Sequence, residues 1–181
     1  MTLPPRLLVL ALLCCGSSCR ADSEPQVGSV DVVADERPLE GGLDSLDAVG
    51  RAVVEGLNAG DADVLMQLLL VEADFTGRLF DVLSNHPNAR QMGPGLIYAM
   101  QRRQSEDELG RALERFGRRG LRLLAVEPGT VETAAEAALL RRPLLRVEDA
   151  HGERMALELL GTVVEHTPSR TFKILGYRFR G

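Results

Sequence analysis

Hydrophobic residues recur at steps of three and four before Gly120 and at steps of two after it, so the chain reads as helices followed by strands. Leu46, Val49, Val53 and Leu57 mark the buried stripe of a helix that starts at Asp44 or Ser45 and ends at Ala59. Asp47 in its first turn suits the helix dipole. Gly60 can leave that helix in the left-handed conformation at no steric cost. Asp61 then caps a second helix running through Val64, Leu65, Leu68 and Leu69. Arg78 to Asn85 predicts a short third helix, broken by His86-Pro87. Pro94 opens a last helix that carries Leu96, Met100, Leu109, Leu113 and Phe116 and stops by Gly120. Its apolar spacing lapses from Gln101 to Asp107, which leaves both one helix and two open.

The two-residue period predicts strands over Leu121–Glu127, Ala137–Val147, Arg154–Glu165 and Arg170–Arg180. Asp149-Ala150-His151-Gly152 and His166-Thr167-Pro168-Ser169 supply turn formers between them, and Pro128-Gly129 closes the first. Pro143 has no amide hydrogen, so its strand is bulged there or lies at an edge. Helices followed by antiparallel strands define an α+β fold, with N-terminal helices packed on a four-stranded antiparallel sheet.

Ahead of this domain, Arg6 precedes an unbroken apolar run from Leu7 to Cys15. As a helix the run rises only about 14 Å, against a bilayer core of roughly 30 Å. A signal peptide over residues 1–18 is therefore expected. Gly16-Ser17-Ser18-Cys19 resembles the lipobox of bacterial lipoproteins, which implies lipidation of Cys19 and a membrane contact through that anchor only. Gly16 stands where the lipobox usually has Leu, and Arg20 follows the cysteine. Cleavage after Ala21, giving a soluble secreted or periplasmic protein, is the alternative. Residues 19–43 are acidic and lack apolar period, so they are expected to form a disordered tether. Residues 44–181 are left as a single α+β domain.

The domain has no cysteine, since Cys14, Cys15 and Cys19 all precede it, which removes thiol chemistry, disulfides and Cys-ligated zinc from it. Net charge is −5, of which residues 20–43 carry −4. The near-neutral remainder offers no footprint for nucleic acid. Lys173 is the only lysine among 21 basic residues.

The string from Val54 to Leu65, with its Gly60-Asp61 corner, resembles the opening of the nuclear transport factor 2-like (SnoaL-like, cystatin-type) superfamily. Thr171 to Phe179 resembles that family's final strand. The resemblance implies a curved, cone-like sheet whose enzymes project acids, His or Tyr into the cone. In this chain Met155, Leu157, Leu159 and Val163 share one strand face, and Phe172 and Ile174 share another. Glu158, Thr162, Thr171 and Lys173 take the opposite faces. The six apolar residues, with Tyr98, are thus the candidate pocket lining, and the strands offer no catalytic group. Asp74 and Asp81, with Tyr98, could reach a cavity mouth. His86, His151 and His166 lack ligand-spaced partners, so no metal and no cofactor is expected. Arg111 and Arg118 stand four residues after Asp107 and Glu114, which predicts a charge-paired surface.

The expected protein is an exported, lipid-anchored, non-catalytic binding or assembly module with an envelope protein partner. A carrier of a small apolar ligand, a SnoaL-like enzyme and a structural homodimer are the alternatives.

Overall fold

The computed structural model describes residues 35–83 and 91–180. The expected signal peptide, Cys19, the first part of the tether and the His86-Pro87 helix stop lie outside these residues. Helix α1 (Leu46–Ala59) begins where Ser45 Oγ accepts the Ala48 amide, and it ends on Gly60 at φ 69°. Helix α2 (Ala62–Gln67) begins where Asp61 Oδ1 accepts the amides of Asp63 and Val64. Both caps sit where the sequence put them, because each answers a local shortage of backbone partners.

The third helical stretch begins earlier than the expected Arg78. It comprises α3 (Glu72–Asp74), a π-helical turn over Phe75–Leu79, and α4 (Phe80–Leu83). The wider turn lets Phe75, Leu79 and the adjacent Phe80 all be buried, which an unbroken 3.6-residue period would resist.

The single four-stranded sheet expected from the sequence is corrected to seven strands in two antiparallel sheets. Strands β1 (Arg122–Glu127), β4 (Leu144–Glu148) and β5 (Arg154–Leu157) form one, in the order β1-β4-β5. Strands β2 (Thr130–Ala134), β3 (Ala137–Arg141), β6 (Leu160–His166) and β7 (Thr171–Tyr177) form the other, in that order. Two segments read as single strands therefore each change sheet midway. The first breaks at Arg142-Pro143, where Arg142 takes φ 52° and Pro143 cannot donate to a ladder. The second breaks opposite it, at Glu158-Leu159. Arg141 pairs with Thr162 before the bend, and Leu145 pairs with Leu157 after it. The register also slips beside Gly161, whose missing side chain leaves room for the Gly176 carbonyl. Strand β2 escaped the pattern because almost all of it is exposed and no apolar face marks it.

Helix α5 (Pro94–Phe116) is one continuous helix, and its apolar lapse has a structural cause. Ser105 Oγ accepts the Tyr177 amide at 3.1 Å, and Glu108 Oε2 accepts the Phe179 amide at 3.0 Å. The polar stretch thus satisfies donors at the outer edge of β7 that no further strand pairs. Glu108 also pairs with Arg111, so Arg111 does not need the expected Asp107.

Apolar residues fill both faces of the four-stranded sheet. Leu140, Val163 and Ile174 pack with Val53, Leu57, Leu65 and Leu109 from α1, α2 and α5. Ala137, Leu139 and Val164 pack on the other face with Leu39, Leu70, Phe75, Leu79 and Phe80. Leu39 belongs to the stretch expected to be tether. Residues 35–43 are instead docked on the sheet, with Leu43 and Phe172 exchanging both backbone hydrogen bonds. Burial of Leu39 offsets the ordering entropy that the acidic composition suggested could not be met.

Candidate functional site

The covering layer on the second sheet face leaves an open cleft of about 730 Å³. Glu40 and Gly41 form one wall, Asp63 and Met66 to Leu69 with Val71 another, and Tyr98 and Arg102 of α5 a third. Lys173 lines it from β7 and is only 3% exposed. Its Nζ donates to the Gln67 carbonyl at 2.8 Å. Burial pushes the amine below its ordinary value, against the longer-range pull of Asp74 and Glu40. Placement of Lys173 on a solvent-facing strand face is therefore corrected. Alternation assigned the side correctly, but a second layer covers that side.

Next to the cleft, Arg78 collects the chain entering the domain. Its Nη1 lies 3.0 Å from Asp74 Oδ1, its Nε lies 3.1 Å from Asp35 Oδ2, and its Nη2 donates to the Arg37 carbonyl. Asp74 is 7% exposed, and its other oxygen accepts the Glu40 amide at 2.7 Å. Asp74 is thus corrected from a surface or cavity-mouth position to a buried partner of Arg78. Asp35 is held below the usual carboxylate range, first by its hydrogen bond to Arg37.

His166, expected in a solvated turn, ends β6 at 1% exposure. Arg78 Nη2 lies 3.4 Å from Nε2 and can only donate, so the imidazole proton sits on Nδ1, facing Ser169 Oγ at 2.7 Å. Ser169 continues to Thr171 Oγ1, which accepts the Leu39 amide. Burial first, and Arg78 second, hold the imidazole below its ordinary value, opposed by Glu136, Asp35 and Asp74. The unfolded imidazole takes up its proton near pH 6.5 while the folded one resists. This contribution to stability is therefore complete above about pH 6.5 and is lost as pH falls through the folded value. Urea titrations of wild type and His166→Asn should diverge between pH 7 and 5, the wild type falling by at most about 1.4 kcal/mol per pH unit more than the variant. Parallel profiles would contradict this.

Six of the seven residues named as lining, Met155, Leu157, Leu159, Val163, Phe172 and Ile174, lie in or against the core beneath α1 and α5. Tyr98 borders the cleft, packed 5.7 Å from the Phe75 ring. Asp81 is exposed. Sequence reasoning missed Lys173 as a site residue; its one available signal was being the sole lysine. Among the described residues, no group of three or more His, Cys, Asp or Glu is placed to hold a metal ion, and no helix is long and apolar enough to cross a membrane. No family model, no curated protein and no solved structure matches this chain.

Proposed function

We propose that the protein is an exported, lipid-anchored, non-catalytic binding module of the bacterial envelope, whose ligand occupies the cleft over Lys173. The observation that carries this reading is the sole lysine, nearly all buried, set in the wall of an open cleft large enough for a small organic molecule. A buried amine with a single carbonyl partner has hydrogen-bonding capacity to spare, and a ligand can use it. Asp74 and His166, near the cleft, are each committed to other groups of the protein: Asp74 to Arg78 and the Glu40 amide, His166 to Ser169 and Arg78. The cleft walls mix charged and apolar residues, which suits a small polar molecule better than the apolar ligand of the alternative carrier reading.

Because the chain has one lysine, protein grown with lysine labelled with carbon-13 at the ε position gives one lysine signal. Addition of a small-molecule extract of the envelope should move that signal, and Asp63→Trp, which narrows the cleft mouth, should suppress the shift. A signal indifferent to the extract would reject the cleft as a ligand site.

A further inference from the structure

We infer that Lys173 holds its ligand covalently, capturing a small aldehyde or ketone as a reversible imine. The inference rests on the reading of the cleft as a ligand site and adds the ligand's chemical class.

Three observations meet at this side chain. The first is position. Lys173 lies on β7, a rigid strand paired along its length with β6, so the amine is held in place at the cleft wall. Gly41 allows this, since a Cβ there would stand 3.3 Å from Nζ, at a φ of 61° that disfavours other residues. The second is the lack of a charge partner. Among the described residues no carboxylate comes within ion-pair distance of Nζ, and its one hydrogen bond goes to the Gln67 carbonyl. A buried ammonium without a counter-charge is unfavourable, and the neutral amine, which needs none, is the nucleophile. Burial accordingly lowers the amine's affinity for its proton, with Asp74 and Glu40 opposing at longer range. The third is the surroundings. With the amine neutral, Glu40 and Asp63 outweigh Arg102 by one negative charge around the cleft, which disfavours an anionic ligand. A neutral carbonyl compound fits that balance.

The step needs no oxidant or other reagent. The Nζ lone pair attacks the carbonyl carbon, the C=O π bond opens, and the oxygen takes one proton from the nitrogen to give a neutral carbinolamine. The nitrogen lone pair then forms C=N as the C–O bond breaks, and the oxygen leaves as water carrying the second amine proton, so the imine is neutral. Addition of water reverses the sequence and frees the ligand, so the protein carries the molecule without transforming it.

The test uses the purified full chain with butanal and cyanoborohydride at pH 7, which reduces the imine to a stable secondary amine. Nα-acetyl-lysine amide in the same tube is the internal standard, and peptide mapping separates Lys173 from the α-amino group. A free lysine is neutral to only about one part in 2,500 at pH 7, and each unit by which the protein lowers its proton affinity raises that fraction tenfold. Lys173 should therefore be modified measurably faster than the standard, and Asp63→Trp should bring the rate down while the circular dichroism spectrum stays unchanged. Modification no faster than the standard, or a rate insensitive to Asp63→Trp, overturns the inference. If the carbon-13 signal of Lys173 moves with the envelope extract while butanal leaves no adduct, the ligand site stands and covalent capture falls.

Discussion

Arg78→Ala should lower the unfolding free energy by about 3 kcal/mol, the scale for removing one partner of a buried ion pair. The loss is large because Arg78 serves several groups at once. Without it, Asp74 keeps its carboxylate within the protein with only the Glu40 amide to offset burial. The carbonyls of Arg37 and Pro38 lose their donor, and His166 Nε2 loses its contact. Leu39 is then fastened to the sheet chiefly by its own burial and by the Thr171 hydroxyl. The double variant Arg78→Met with Asp74→Leu should recover part of the loss, because it removes the stranded charge as well as its partner. Urea unfolding monitored by circular dichroism measures both. A loss below about 1 kcal/mol for Arg78→Ala would match an exposed pair and show that the cluster does not fasten the segment.

Cys19→Ser should move the protein from the membrane fraction to the soluble fraction, an all-or-none change in partition. Each buried CH₂ of an acyl chain contributes about 0.8 kcal/mol, and stable attachment takes more than one chain. Among the described residues no helix could replace such an anchor by crossing the bilayer. Fractionation of cells producing each form, with the same blot probed for both fractions, reads the result. Unchanged membrane partition of the serine variant would reject lipidation at Cys19. Arg78→Ala should stay with the membrane, since Cys19 precedes the domain in sequence.

Local signals in the sequence carried α1 and the start of α2, because a capping side chain and an apolar stripe are both written within a few residues. Helix α2 stops at Gln67, short of the expected Leu69, which bridges to Ile174 instead. Ser45, Gly60 and Asp61 all serve as expected. The lapse in α5 is equally local but left one helix and two both open, since Ser105 and Glu108 are polar for the sake of amides about seventy residues away. Alternation alone could not show that Ala137–Val147 changes sheet, because side chains keep alternating through the bend. One sign of two-sided burial was present: Ala137-Ala138-Leu139-Leu140 and Val163-Val164 are apolar at adjacent positions. Taken as such, it would have required a second covering layer and so placed Lys173 and His166 inside. That layer comes from residues 35–43 and 72–83, where acidic composition and an irregular helix hid it.

The paired bends at Arg142-Pro143 and Glu158-Leu159 make one long ribbon common to both sheets. A sheet that could fray by itself would need strands of its own, yet the central strand of each sheet continues directly into the other. The domain has no internal seam along which half of it could come apart, so the floor of the Lys173 cleft keeps its shape until the whole fold is lost.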